Sequence, residues 1–163
     1  MKTIKGDLIK LAEKGNFDII IQGCNCYNVM GGGLAKQLAD RYPKVKQADM
    51  CTTRGDKLKL GRFTMAQINT GKTIFTVINA YTQYEMSNTK DVFEYGAFEK
   101  FLELFSKCVP DYTRGPHRKV SIGFPQIGAG LAGGDWSRIS KMIEKFSEDV
   151  SDYADVTVVE YQP

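Results

Sequence analysis

Two glycine-rich stretches, each set between a strand-like run and a helix-like run, constrain this chain more than any other feature. The first, GCNCYNVMGGGLA at residues 23–35, follows the apolar run FDIII at 17–21. The second, FPQIGAGLAGGDW at residues 124–136, follows the run KVSIG at 119–123. Glycines let backbone N–H groups come close to an anion, and a following helix presents its positive N-terminus to the same charge. Two such loops, far apart in one chain that alternates strands and helices, read as two jaws closing on a diphosphate.

Residues 2–5 read as a short edge strand, and 7–14 as a short helix with Leu8, Leu11 and Ala12 inward. The near-continuous β-branched run at 17–21 suits a strand covered on both faces. Helices are predicted over 33–42, punctuated by Pro43, and then to about residue 53, ending in the turn Arg54-Gly55-Asp56. Residues 63–68 and 73–79 read as a hairpin turning at Asn69-Thr70-Gly71. Phe98, Phe101, Leu102 and Phe105 fall at helical spacing within 91–107, and 109–116 reads as a loop. A strand at 120–124, a helix at 136–148 and a strand at 155–161 complete the order. This alternation predicts an α/β fold with a mostly parallel or mixed sheet. Ligands of such sheets sit beyond the carboxyl ends of the central strands, where both glycine loops fall.

The 163 residues fit one domain, 1–163, large enough to bury roughly 70% of its unfolded surface. A net charge of +3 is too small to imply a nucleic-acid partner. No run approaches a membrane span, and no signal-peptide core follows residues 1–5, so a soluble, cytoplasmic protein is expected, in the host cytoplasm if the chain is viral. Cys24, Cys26, Cys51 and Cys108 read as reduced thiols. Cys24-Asn25-Cys26 lacks the Cys-x-x-Cys spacing of metal and redox sites, and His117 is the single histidine, so neither a metal nor a cofactor is expected.

Both common nucleotide motifs fail. Gly128-Ala129-Gly130-Leu131-Ala132-Gly133 matches the dinucleotide string, but it comes with one strand left and no room for the second half of that fold. No Gly-Lys-Ser/Thr follows four spacer residues, so there is no Walker loop.

The chain resembles the macrodomains, the ADP-ribose-binding α/β/α modules, over nearly its whole length. Gly6-Asp7-Leu8 is similar to the family's early Gly-Asp-Ile/Leu, and residues 18–25 to the strand leading into Val-Asn-Ala-Ala-Asn, with Asn25 matching the last asparagine. Gly31-Gly32-Gly33-Leu34-Ala35 resembles the first-loop triplet, and Pro125-Gln126-Ile127-Gly128-Ala129-Gly130 the second loop. The resemblance implies a three-layer α/β/α fold around a mixed, mostly parallel sheet. It also implies a substrate-binding set of Asp7, Leu8, Gly23, Cys24, Gly31, Gly32, Gly33, Leu34, Ala35, Pro125, Ile127, Gly128, Ala129, Gly130 and Leu131.

Residue chemistry fits that set. An ionised Asp7 only accepts hydrogen bonds, which suits an exocyclic amine, though it also fits a helix N-cap. Asn25 donates and accepts, which suits a ribose hydroxyl, or else holds its own loop. Tyr81 is expected near the cleft as a stacking ring, with Tyr27 and Tyr84 as further candidates. Lys36 and Lys72 either steer an anionic substrate or are simply solvated.

Departures from the family pattern choose the branch. Ala35 stands where hydrolases of acidic-side-chain linkages often carry Asp, and the lysine–aspartate dyad of another hydrolase branch is missing from Ile78-Asn79-Ala80-Tyr81 and Gly130-Leu131-Ala132. What remains is similar to the ADP-ribose-1″-phosphate phosphatases, although relatives tend to have His where this chain has Gln22. The expected activity is therefore metal-independent hydrolysis of that phosphomonoester, with Asp135 as general acid/base and Asn25 placing the distal ribose. Asp135 also fits an N-cap before Trp136. Cys24 as nucleophile would need a lowered pKa, and a small core residue is the plainer reading. The alternatives are a hydrolase freeing ADP-ribose from protein, nucleic acid or an acetyl ester, and a non-catalytic reader of ADP-ribose, either of which would meet ADP-ribosylated macromolecules as partners.

Overall fold

A computed structural model describes residues 1–86, 91–112 and 118–163. The chain runs β1 (Lys2–Gly6), α1 (Leu8–Glu13), β2 (Ile19–Cys24), α2 (Gly33–Arg41), α3 (Pro43–Met50), β3 (Phe63–Asn69), β4 (Ile74–Tyr81), α4 (Tyr95–Cys108), β5 (Val120–Pro125), α5 (Trp136–Asp149) and β6 (Ala154–Tyr161). Short 3-10 turns occupy Lys57–Lys59 and Val109–Tyr112.

Period-two burial on both faces of the strands decides the architecture. Ile19 and Ile21 of β2 enter one core cluster, while Ile20 and Cys24 enter the other. The first cluster is covered by α4 and α5 through Phe98, Phe101, Phe105, Ile139 and Phe146. The second is covered by α1, α2 and α3 through Leu8, Ala12, Leu38 and Val45. Rings of Phe101 and Phe105 stack at 5.5 Å, and Phe105 stacks on Phe146 at 5.8 Å, tying α4 to α5. Offset stacks of this kind add about 0.5–1.5 kcal/mol beyond the area they bury. Three layers result, helices on either side of one sheet.

The six strands lie in the order β1-β6-β5-β2-β4-β3. Every neighbouring pair is parallel except β3–β4, the hairpin expected at residues 69–71. β2 pairs with β4 on one side and β5 on the other, Ile19 lying opposite both Thr76 and Ile122. The loops that leave β2 and β5 therefore emerge side by side at the carboxyl edge of the sheet. Those are the two glycine loops.

Two boundaries differ from the sequence expectation. Strand β4 continues through Tyr81, two residues beyond the expected end, because Arg62 O and Gly61 N keep its last backbone groups paired. Helix α4 starts at Tyr95 rather than 91: Phe93 bridges to Gln83, and Val92 and Phe93 both donate to Ala132 O, which binds 91–93 to the second glycine loop. The expected loop at 109–116 is a 3-10 turn as far as Tyr112; the rest of it and His117 lie outside the described residues.

Candidate functional site

A continuous cleft runs along the carboxyl edge of the sheet. One end, about 370 Å³, is lined by Gly6, Asp7, Leu8, Gln37, Ala129, Val159 and Tyr161. The other end, about 550 Å³, is lined by Gln22, Gly23, Cys24, Asn25, Gly31, Gly32, Ala35, Thr82, Gln83, Ile127, Gly128 and Leu131, among others. Gly33, Leu34, Pro125, Gln126 and Gly130 line both ends and join them. Every residue of the expected binding set except Tyr81 thus lies on this cleft.

The first loop forms one wall. Gly32 caps α2 without a side-chain bond, so the first-turn amides of that helix have no capping acceptor. The second loop forms the facing wall. It reaches back across the opening: Leu131, 71% exposed, has its Cδ1 3.6 Å from where a Cβ on Gly32 would stand. The floor between them is close-packed, since a Cβ on Gly23 would lie 2.9 Å from Thr82 Oγ1 and 3.3 Å from Ile127 Cγ1.

Asp7 does both things its chemistry allows. Its Oδ1 caps α1 by accepting from Lys10 N at 3.1 Å, and Asp7 also faces the smaller end of the cleft. Asn25 is committed to its own loop: Nδ2 donates to Val29 O at 2.8 Å, and Oδ1 accepts from Tyr27 N at 2.9 Å. It lines the cleft as the strut of the first loop.

Two expectations are corrected. Tyr81 lies inside the extended β4, so strand alternation turns it into the α2/α3-side core; it is 1% exposed, and its hydroxyl donates to Asp49 Oδ1 at 2.8 Å. It does not line the cleft. Asp135 is exposed and caps α5, Oδ1 accepting from Ser137 N at 3.0 Å, and it is absent from the cleft wall. The structure gives its carboxylate a helix-cap bond and does not bring it to the cleft. Tyr27 and Tyr84 pack edge to face at 5.0 Å with hydroxyls 3.0 Å apart, outside the cleft lining; the Tyr27 hydroxyl bond, with some burial, pushes Tyr84 up to about 12. Lys36 pairs with Asp40 at 2.5 Å on an exposed helix face.

Thiol chemistry is not favoured here. Burial pushes the Cys24 thiol far up, with Asp49 adding to the effect, and burial pushes Cys26 up to about 11. A thiol shifted in that direction stays protonated and is a poor nucleophile. Among the described residues no group of three or more His, Cys, Asp or Glu side chains could hold a metal, and no helix is long and apolar enough to cross a membrane.

Two polar groups at the larger end are not among the expected site residues, although Gln22 stands out as a departure from the family pattern. Gln22 and Thr82 are each 1% exposed and both line the cleft, yet Gln22 Oε1 and Thr82 Oγ1 have no hydrogen-bond partner among the described residues. A buried polar atom left unpaired costs roughly 1–3 kcal/mol, so two of them at one end of a cleft call for a polar ligand. Gln22 also carries a positional signal, an amide closing an otherwise apolar strand run. Gln37, Gln126 and Tyr161 are further lining residues that periodicity does not reveal, Tyr161 being brought there by β6 pairing with Gly6 of β1.

No protein-family model matches the chain. It is 32% identical over 167 residues to an uncharacterized 17.5 kDa protein of Enterobacteria phage T4, covering 100% of this chain and 97% of that one. It is 29% identical over 173 residues to an ADP-ribose 1″-phosphate phosphatase of Saccharomyces cerevisiae, covering 91% of this chain and 93% of the relative. Among solved structures, the macrodomain of Mycobacterium tuberculosis DarG superposes with a TM-score of 0.71 at 19% identity, covering 100% of this chain and 99% of that one. A Trypanosoma brucei macrodomain in complex with ADP-ribose superposes with a TM-score of 0.63 at 16% identity, covering 98% of this chain and 62% of that one.

Proposed function

We propose that the chain, which shares the macrodomain fold and is 29% identical to an ADP-ribose 1″-phosphate phosphatase, is a macrodomain whose cleft binds ADP-ribose and hydrolyses ADP-ribose-1″-phosphate to ADP-ribose and inorganic phosphate. The observation that carries this reading is the graded chemistry along one continuous cleft: a carboxylate at one end, amide-rich glycine loops in the middle, and unpaired buried polar atoms at the other. Asp7, whose Oδ2 carries no bond among the described residues, accepts from the adenine amine. The first-turn amides of α2 and the backbone of residues 128–131 cradle the diphosphate without a basic side chain. The distal ribose and its phosphate then reach Gln22 and Thr82.

At that end the Thr82 hydroxyl donates to a phosphoryl oxygen, stabilising charge that spreads over the transferred group. Water attacks phosphorus as the bond to the 1″ oxygen breaks. One water proton passes through a phosphoryl oxygen to the leaving 1″ oxygen, so no side-chain base is needed. Asp135, committed to its helix cap, has no part in this scheme.

Incubation of the purified protein with ADP-ribose-1″-phosphate, followed by phosphorus NMR, tests the reading. Inorganic phosphate should appear at a rate that falls by about 10- to 100-fold in Thr82→Val, the range for removing a transition-state donor at its lower end. Absence of phosphate release, with ADP-ribose still bound in a calorimeter, would replace the phosphatase with a reader or with a hydrolase of another ADP-ribose linkage.

A further inference from the structure

Gln22 does not stand alone beneath the cleft. Its Nε2 donates to Asn79 Oδ1 at 2.8 Å, the residue opposite it in the β2–β4 register. Asn79 Nδ2 donates to Val45 O at 3.2 Å and to Thr64 Oγ1 at 3.1 Å, which uses both amide protons and leaves its oxygen no choice but to accept from Gln22. Thr64 Oγ1 lies 3.0 Å from the Tyr81 hydroxyl. Tyr81 gives its one proton to Asp49 Oδ1 at 2.8 Å, so the proton between the two hydroxyls comes from Thr64. Asp49 is 1% exposed, with Lys46 Nζ 3.9 Å from its other oxygen. Every bond therefore points the same way, from Gln22 through Asn79, Thr64 and Tyr81 to a buried carboxylate.

We propose that this chain of bonds is a positioning relay: Asp49, Tyr81, Thr64 and Asn79 lock the Gln22 amide with its buried Oε1 kept unpaired at the larger end of the cleft, to accept a hydrogen bond from the water that attacks the phosphoryl group. The inference rests on the phosphatase reading and deepens it. In a cleft walled by backbone donors, a fixed acceptor suits a donor such as water and repels a phosphoryl oxygen. Being a neutral amide, Gln22 orients the water and takes no proton. Oxygen–phosphorus bond formation and cleavage of the bond to the 1″ oxygen proceed as above, with the water proton ending on the leaving group. A flipped Gln22 would present its NH₂ instead, holding the phosphate of the bound substrate and misdirecting the water. The relay prevents that flip from four residues away.

Thr64 is half-buried at the edge strand, so it can be changed without emptying the core. Thr64→Val removes the middle link and should lower kcat about fivefold, part of the worth of one hydrogen bond, with KM unchanged or lower. Thr64→Ser, which keeps the hydroxyl, should restore most of the rate. Gln22→Met should lower kcat about tenfold or more while ADP-ribose affinity by calorimetry stays within about twofold. Hydrogen exchange of the Gln22 side-chain amide, assigned by its loss in Gln22→Met, is the readout that does not need turnover: protected in the wild type, it should exchange about tenfold faster in Thr64→Val. A folded Thr64→Val with wild-type kcat, or one whose loss is all in a raised KM, would overturn the relay. If the wild type releases no phosphate, the phosphatase reading falls, and unchanged Gln22 exchange in Thr64→Val would sink the relay separately.

Discussion

Asp7 and Asp135 are the same device in two settings. Each precedes a helix in extended backbone, and each carboxylate accepts from a first-turn N–H, Lys10 N at 3.1 Å for Asp7 and Ser137 N at 3.0 Å for Asp135. Sequence chemistry assigned one to adenine and the other to catalysis; only the neighbourhood separates them, because Asp7 lies on the cleft and Asp135 does not. Replacing either by Ala should cost about 0.5–2 kcal/mol of stability, the worth of an N-cap, as read by urea unfolding. Only Asp7→Ala should also weaken ADP-ribose binding, by about 1–3 kcal/mol for a lost polar partner. Serine substitution sharpens the contrast, since it keeps the cap and loses the carboxylate. Asp7→Ser should recover stability without recovering affinity, while Asp135→Ser should leave both turnover and binding at wild-type levels. An Asp135→Ser variant that folds and yet hydrolyses nothing would return Asp135 to the reaction.

At the level of elements, the second glycine loop is held from outside by the segment that precedes α4. Gly134 N donates to Gly128 O at 2.7 Å, and Val92 and Phe93 both donate to Ala132 O. Gly128 sits at φ +75°, and a Cβ there would stand 2.4 Å from Phe93 Cδ2. Gly128→Ala thus meets two penalties, left-handed backbone and a buried ring with nowhere to go, together about 2–4 kcal/mol. Gly130 lacks both features: its φ is outside the left-handed region, and a Cβ would meet nothing within 4 Å. Gly130→Ala should therefore stay within about 0.5 kcal/mol of wild-type stability, although Gly130 lines both ends of the cleft. Denaturant unfolding of the two variants side by side measures this. Equal destabilisation would mean that the loop is not gripped by Phe93.

Across the whole molecule, what was legible in the sequence is what repeats locally. The near-continuous apolar run at 17–21 and the helical spacing in 98–105 placed β2 and α4, and the glycine runs placed the cleft walls, because each is a property of neighbouring residues. The errors were tertiary. Tyr81 depended on where β4 stops, and that is set by Gly61 and Arg62 of a different segment. Gln22, Thr82 and Tyr161 acquired their places from β2, β4 and β6 lying at given positions in one sheet, a pairing that no short window contains. This dispersal has a thermodynamic consequence. A ligand spanning the cleft touches the ends of β1, β2, β4, β5 and β6 at once, so it should stabilise the fold globally rather than one loop. At a free concentration of about 100 times its Kd, ADP-ribose should add about 2.7 kcal/mol to unfolding, raising Tm by about 5–10 °C for a chain of this size. In the proposed placement AMP would reach only the end at Asp7 and ADP would stop before Gln22 and Thr82, so at equal concentration their shifts should be smaller, with AMP the smallest. Thermal unfolding with each nucleotide in turn measures the order. A shift for AMP as large as for ADP-ribose would mean that the end holding Gln22 and Thr82 contributes nothing to binding.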